Sequence, residues 1–404
     1  MSGSNNFQPV LIGTDLNTYG VARAFHEEYG VISKVFGSQA LLMVLDSKIC
    51  DTTEVDNFSE SKVMVDTLIQ YAKENPNKKL LLFAAGEHYV FRLFENYEVL
   101  KDYYIIPYAN PTLGIYLSDK TAFYSECEKY GLNYPSTEVV RKTTYKQYKP
   151  KIKFPLVVKP AESADYFSLT FEGKEKAYIV QEMEELSKIL ELIYSTDYPH
   201  NFLVQEYVPG DVSDEYVMNV YSDHQGKVRM MSLGRIVADD PDPELRGNYV
   251  GIINPPKSEK VNRLYADVKS FLEKIQFTGL SNFDFKFDVE KNEFKVFEMN
   301  LRQGRSSYFS IMAGSNYAKA IIEDIFSEQT GEMTVGNDPF IWTNCSTKGF
   351  FQFIKKKDLK LYKELKKIDN VGNTLEYDKD TSIRRNIRIK KYLKKYSSRI
   401  NKLI

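Results

Sequence analysis

Two carboxylates and two amides sit at mirrored positions in one short stretch of this 404-residue chain. Ser281-Asn-Phe-Asp-Phe-Lys-Phe-Asp288 and Lys295-Val-Phe-Glu-Met-Asn-Leu301 both alternate apolar and polar residues, the period of a strand with one buried face. Val289 to Glu293 predicts a five-residue hairpin loop between them. Asp288 would then pair with Phe294, Asp284 with Glu298 and Asn282 with Asn300, while Phe297, Met299 and Leu301 share the core face. Like charges directly opposite cost a sheet roughly 0.2–1 kcal/mol, so something should compensate. One candidate is a divalent cation held by Asp284, Glu298 and Asn300. Carboxylates plus an amide oxygen suit Mg²⁺, which keeps waters and takes its other ligands from nucleotide phosphates. The other candidate is Lys286, diagonal to Glu298 on the same face and able to neutralise it as on any surface hairpin.

The segment after the second strand favours the metal. Leu301-Arg-Gln-Gly-Arg-Ser-Ser307 carries Arg302 and Arg305 ahead of a predicted helix over 308–326 that Ser306 or Ser307 can cap. Guanidinium groups and a helix N-terminus both favour anions. Metal ligands beside anion binders describe a phosphoryl-transfer centre. Lys159, ending the apolar strand Phe154–Pro160, and Lys120, near a helix start, are point charges suited to phosphate, or ordinary surface lysines. Gln205, Glu206, Tyr207 and Val208 precede Pro-Gly and can present backbone groups to an adenine edge, or simply end a buried strand in a turn.

Several elements must position these groups. Residues 9–13 form an apolar run ending in glycine, followed by a predicted helix over 21–29, a helical stretch at 60–75 and a strand at 79–86. Strands alternating with helices predict a parallel sheet over roughly the first 115 residues. The interval from Gly13 to Gly20 is not GxGxxG, so the dinucleotide fingerprint, and an NAD-dependent oxidoreductase with it, is excluded. Ser118 or Asp119 can cap a helix from Lys120 to Tyr130 that Gly131 stops. A Lys- and Tyr-rich loop (141–153), a helix (182–195), a strand (202–208), a hairpin (217–237), a loop dense in Pro, Asp and Gly (239–256) and a helix (258–275) complete the path to the acidic hairpin.

Composition narrows the class. Hydrophobic residues at 43% and charged residues at 27% describe a globular chain of two or three domains. Lys+Arg of 54 against Asp+Glu of 55 argues against a general nucleic-acid binder. Cys50, Cys127 and Cys345 lie far apart, so neither a disulfide scaffold nor a zinc site is expected. Neither a secretory signal nor an apolar run of membrane-spanning length is apparent, and a reducing cytoplasm is the expected location.

"SDKTAFYSECEKYGLNYPST", "FPLVVKPA", "VQEYVPGD", "SNFDFKFD" and "VFEMNLRQGR", in that order, resemble the ATP-grasp superfamily of carboxylate–amine ligases over about residues 105–330. The resemblance implies an α/β ATP-grasp fold, two α+β lobes clamping ATP, behind an N-terminal Rossmann-like α/β domain and ahead of a helical basic extension. The expected divisions are 1–118, 119–330 (smaller lobe 119–204, larger lobe 205–330) and 331–404. It implies that Lys120 and Lys159 hold ATP phosphates, that 205–208 form the adenine hinge, and that Asp284, Glu298 and Asn300 ligate two Mg²⁺. Arg302 would steady an acyl phosphate. The ribose acid would be Asp211 or Asp214, with Asp211 preferred. The sequence departs from the pattern twice, with Gln205 where many members have an acid and Leu301 where many have proline.

A likeness of the whole length, through "LIGTDLNTYGVARAFHEEYG", "RMMSLGRIVADDPDP" and "FEMNLRQGRSS", is to the bacterial D-aspartate ligase family. That implies D-aspartate activated at its β-carboxyl and joined to a lysine amine of a UDP-linked peptidoglycan precursor. Arg305 and Ser306, or Arg246 in the 239–250 loop, would hold the second carboxylate; Arg305 can equally be a structural partner of the helix cap. Rival readings are a ligase for another amino acid or acceptor, and a nucleotide-binding protein without turnover.

The tail stands apart. Residues 355–404 hold 17 Lys+Arg and 6 Asp+Glu, leaving 37 against 49 for the rest. From Thr381 onward there are nine basic residues and no acid, with Ile389, Leu393, Tyr396, Ile400 and Leu403 at helical spacing. The stripe can pack on the acidic body, touch anionic lipid at the inner face of the membrane, or attract a polyanionic acceptor.

Overall fold

The computed structural model describes residues 6–404 except 243, 244, 246 and 328–330. Four parallel strands open the chain: β1 (Phe7–Ile12), β2 (Ser33–Gly37), β3 (Cys50–Glu54) and β4 (Lys79–Ala84), in the order β3-β2-β1-β4. The sequence shows β1 and β4, whose apolar runs are continuous, and hides β2 and β3. Ser33–Gly37 is too short to show a period, and Cys50–Glu54 is polar. The first helix runs from Leu16 to Tyr29, beginning five residues before the expected start because the Asp15 side chain caps the Thr18 amide.

The second sheet is a small antiparallel one of β5 (Thr137–Val140), β6 (Leu156–Pro160), β7 (Tyr178–Val180) and β8 (Phe202–Glu206), ordered β5-β8-β6-β7. It has its own core, in which Leu156, Val158, Tyr166, Leu190, Phe202 and Val204 are buried. The third sheet holds eight strands: β9 (Glu215–Ser222), β10 (Val228–Asp239), β11 (Tyr249–Ile253), β12 (Gly279–Asp288), β13 (Glu293–Asn300), β14 (Thr334–Gly336), β15 (Ile341–Thr343) and β16 (Val371–Gly372). Its order is β13-β12-β9-β10-β11-β15-β16, with β14 beside β10. Strand pairing therefore carries the small sheet past residue 204, through β8, and the large sheet past 330. The residues expected to form a separate extension supply three strands to the large sheet.

A single apolar cluster joins the N-terminal sheet to the large one, including Ile12, Phe25, Leu82, Phe123, Phe271 and Phe283. The helix Lys120–Tyr130 begins at Asp119, whose side chain accepts from the Ala122 amide, and ends at Gly131 in the left-handed region (φ 77°). The expected helix over 308–326 is broken into Tyr308–Met312 and Tyr317–Phe326 by Gly314, at φ 84°. Neither Ser306 nor Ser307 makes the predicted side-chain cap, and a five-residue helix offers little dipole to an anion. Among the described residues no helix is long and apolar enough to cross a membrane.

Candidate active site

The hairpin of β12 and β13 delivers the mirrored side chains together. Asn282 pairs with Asn300, Phe283 with Met299 and Asp284 with Glu298. Beyond that point a β-bulge at Phe297 shifts the register, so Asp288 stands opposite Glu293 rather than Phe294, and the loop is four residues rather than five. The bulge also releases Phe297 from the expected core face. Met299 and Leu301 are buried there, whereas Phe297 is part-buried, with the Lys159 ammonium 5.6 Å from its ring centre.

Glu298 is compensated, but not by Lys286, whose ammonium donates to the Gly210 carbonyl. Lys120 Nζ lies 3.3 Å from Glu298 Oε1 instead, brought there by a helix far upstream in sequence. Burial raises the Glu298 carboxyl, and Lys120, Lys159 and Arg302 together overcome it, leaving this acid below its ordinary value. Burial and then the facing Glu298 push Asp284 up to about 6, against a hydrogen bond from Tyr249, the Arg302 charge and a hydrogen bond from Asn300. Tyr249 Oη donates to Asp284 Oδ1 at 2.8 Å, and Asn300 Nδ2 to Asp284 Oδ2 at 3.4 Å. Lys159 donates to the Tyr124 hydroxyl at 3.3 Å. Burial takes its ammonium down to about 7, Lys120 adds repulsion and Glu298 opposes both.

Arg302 donates from Nη2 to Asn300 Oδ1 at 3.5 Å and from Nη1 to the Gln303 carbonyl at 3.0 Å, while its buried Nε has no partner among the described residues. The segment after it approaches the strands so closely that Gly304 is required. A Cβ there would lie 2.8 Å from Asn282 Nδ2 and 3.2 Å from Asn219 Oδ1. From the other side, the N-terminal sheet grips the same turn: Asn17 Nδ2 donates to the Gln303 carbonyl, Gln303 Nε2 to the Ala84 carbonyl, and Tyr108 to Gln303 Oε1.

Glu298, Asn300 and Arg302 separate two cavities. A cleft of about 30 Å³ is walled by Glu87, Lys120 and Phe123. A larger one of about 280 Å³ takes in Asp284, Arg305, Ser306, Asn248, Tyr249 and Asn344. Arg305 Nη1 donates to Asn248 Oδ1 at 2.8 Å, so it faces the loop after β10 rather than the following helix. Arg246 lies outside the described residues.

The 205–208 segment sits on the small sheet, where Lys159 of β6 pairs with Leu203 of β8. Gln205 is buried, donating to Thr137 Oγ1 at 2.6 Å, with its Oε1 unpartnered among the described residues. Val208 is buried as well. The Tyr207 amide donates to the Pro155 carbonyl, and the Lys286 ammonium lies 6.0 Å from the Tyr207 ring centre. The Glu206 carboxylate turns away to Lys291 at 3.1 Å and to the buried Lys295. Asp211 caps the short turn Val212–Asp214, accepting from the Ser213 amide, and a hydrogen bond from the Ser213 side chain, aided by that amide, holds its carboxyl below the ordinary value despite some burial. An acid that the sequence does not single out, Glu215, shares the face of β9 that carries Val217 and Asn219. Burial lifts its carboxyl to about 7, Lys286 opposes this, and Asp239, Asp284 and Asp211 add to it. Glu87, Tyr124, Asn248, Tyr249 and Asn344 are equally hidden in the sequence. They lie on other elements, and no spacing ties them to the hairpin.

The architecture defines a class first. Solved structures that share the fold include the ADP complex of N5-carboxyaminoimidazole ribonucleotide synthetase, with a TM-score of 0.62 at 13% identity over 87% of this chain and 85% of that one. The L-amino acid ligase of Bacillus licheniformis gives 0.58 at 17% identity, over 82% and 78%. This is the ATP-grasp fold, with a small and a large sheet following a parallel α/β unit along the chain. No family model matches the chain. The D-aspartate ligase of Enterococcus faecium (strain Aus0004) is 38% identical over 99% of this chain and 97% of its own length. The chain belongs to the D-aspartate ligase family and is an ATP-dependent carboxylate–amine ligase.

Proposed function

We propose that the protein joins the β-carboxyl of D-aspartate to the lysine side-chain amine of a UDP-linked peptidoglycan precursor, using ATP. One observation carries this reading. Two facing carboxylates, with three cations gathered around them, stand at the wall of Glu298, Asn300 and Arg302 that divides two cavities, in a chain that resembles a D-aspartate ligase from end to end.

Lys120 and Lys159 hold the ATP phosphates, and 205–208 with the acids beyond them, Asp211 or Glu215, hold the nucleoside. Asp284, Glu298 and Asn300 fit Mg²⁺. They offer hard oxygen ligands, and Asp284, raised to about 6 by burial and by the facing Glu298, would be relieved by a cation held between the two. Bound there, Mg²⁺ would neutralise charge on the phosphates. A carboxylate oxygen of the amino acid attacks the γ-phosphorus, the bond to ADP breaks, and an acyl phosphate forms. The amine then attacks the acyl carbon, phosphate departs and the amine loses a proton. Arg302 stabilises the charge on the transferring group, and positioning supplies most of the remainder. The amino acid lies in the larger cavity, its second carboxylate on Arg305 and Ser306.

The small sheet, with its separate core, acts as the lobe that closes on ATP. The outer face of the last helix, Ile383–Lys402, carries Arg384, Lys390, Lys391, Lys394, Lys395 and Lys402 in solvent beside the exposed Ile383 and Ile387, which suits a weak contact with anionic lipid. ADP release measured across D- and L-amino acids, with and without a UDP-linked peptide, tests the whole reading. Turnover that prefers another amino acid, or that is indifferent to the acceptor, overturns it.

A further inference from the structure

The amino-acid cavity is backed by an element far along the chain from the acidic hairpin. Its wall includes Asn248 and Tyr249, at the end of the segment that leaves β10 and returns as β11. That segment is cross-tied at its base, where the Asp240 amide donates to the Asn248 carbonyl at 3.2 Å and the Gly247 amide to Asp239 Oδ2 at 3.0 Å. Asp240 is buried, and its Oδ2 receives two groups from the helix Ile383–Lys402. Tyr396 Oη donates at 2.8 Å, and the Arg399 guanidinium pairs with the same oxygen while its Nη1 reaches Asp242 Oδ2 at 3.3 Å.

A planar guanidinium spanning two carboxylates fixes both separation and orientation, which a lysine would not. The same turn of helix supports the adjoining part of the wall. Ser397 Oγ receives the Ser346 amide at 3.1 Å, and Asn344, two residues earlier, lines the cavity and donates from its backbone to the Val250 carbonyl. From the tied segment the contacts continue inward, Asn248 accepting from Arg305 and Tyr249 donating to Asp284.

We propose that Tyr396 and Arg399 are positioning residues of the amino-acid site. By fixing Asp240 they set the places of Asn248 and Tyr249, and through these the reach of Arg305 into the cavity. This rests on the reading of that cavity as the amino-acid site. The C-terminal helix thereby completes the substrate pocket rather than merely covering the body of the protein.

The test uses the full chain, with D-aspartate as the varied substrate and ADP release as the signal. Arg399→Gln is expected to raise KM for D-aspartate about tenfold, leaving kcat and KM for ATP within about twofold. Tyr396→Phe, which removes a single hydroxyl, raises it about two- to threefold, and Arg399→Lys falls between wild type and Arg399→Gln. Because the effect runs through Arg305, Arg399→Gln adds little to Arg305→Ala, whereas independent roles would multiply. Unchanged KM in a folded Arg399→Gln or Tyr396→Phe protein overturns the proposal. So does a matching loss in kcat and in KM for ATP, the sign of a helix that only holds the fold. If Arg305→Ala itself leaves KM for D-aspartate unchanged, the reading of the cavity fails and takes this proposal with it. If Arg305→Ala raises KM while Arg399→Gln and Tyr396→Phe are silent, the positioning role alone fails.

Discussion

The hairpin of β12 and β13 and the helix Ile383–Lys402 are both rich in charge, and they handle it in opposite ways. In the hairpin, Asp284 and Glu298 are set face to face, and burial works against both. Cations gather from elsewhere, Lys120 at 3.3 Å and Lys159 and Arg302 nearby, so the cost of one element is offset by three others. In the helix, positive charges face solvent, while Arg385 and Arg399 turn inward onto acids of the body. Arg385 pairs with Asp380 at 3.0 Å, both buried, and Asp380 also accepts from Tyr19, Ser47 and the Lys48 amide of the N-terminal unit. Concentrated like charge held by imported counter-charge makes a place for chemistry; charge spent pair by pair on buried acids makes a strap.

The sharpest way to break this contrast is at Glu298. Glu298→Gln should lower kcat about 10²–10³-fold, the scale on which a group acting in the transition state is lost. Its melting temperature should move by only a few degrees, because relief of repulsion with Asp284 is traded against loss of the Lys120 pair. Near-normal turnover at saturating Mg²⁺ would remove the site assignment. Next comes the strap. Asp380→Ala leaves Arg385 buried without its partner and should cost about 3–5 kcal/mol in denaturant unfolding. A loss below about 1 kcal/mol would mean that the tail is held by its apolar stripe alone.

A smaller effect is expected at Lys159. With its ammonium lowered to about 7, the lysine is mostly neutral in the free protein above that pH, and phosphate oxygens favour its charged form. Nucleotide binding must therefore take up a proton, and affinity for ADP should fall as pH rises above 7, approaching tenfold per unit. Calorimetry in buffers of different ionisation enthalpy measures both quantities. A flat affinity from pH 7 to 9 contradicts the lowered value, and Lys159→Arg should flatten it by design. The weakest effect expected is at the outer face of the strap. Charge reversal at Lys390, Lys391, Lys394 and Lys395 should reduce co-sedimentation with anionic vesicles several-fold at low salt without altering turnover. Equal sedimentation would assign that face to solvent.

Much of the hairpin is legible in the sequence. The positions of Asp284, Glu298, Asn282 and Asn300 come from a period of two, which is a local property of the backbone. The bulge at Phe297 is not legible, because nothing in Phe-Glu-Met-Asn marks where an extra residue is absorbed. It moves the loop end by one and leaves the functional end in register. In the tail, the apolar spacing correctly puts Ile389, Leu393 and Ile400 inside, but it also includes Leu403, which is half exposed.

The sequence by itself determined the helical and strand periods, the cap at Asp119, the mirrored acids and the ordered series of segments that marks the ATP-grasp class. All of these are set by neighbours within a few residues, where backbone geometry fixes who faces whom. Only the tertiary structure decided that Lys120 rather than Lys286 answers Glu298, that Arg305 looks toward Asn248, and that Arg399 reaches Asp240 beneath the substrate cavity. Those partners are separated by 57 to 178 residues, and a long flexible side chain accepts any carboxylate within its reach. Which one it meets is settled by how the sheets pack, since burial, not sequence spacing, sets which charges are left to pair.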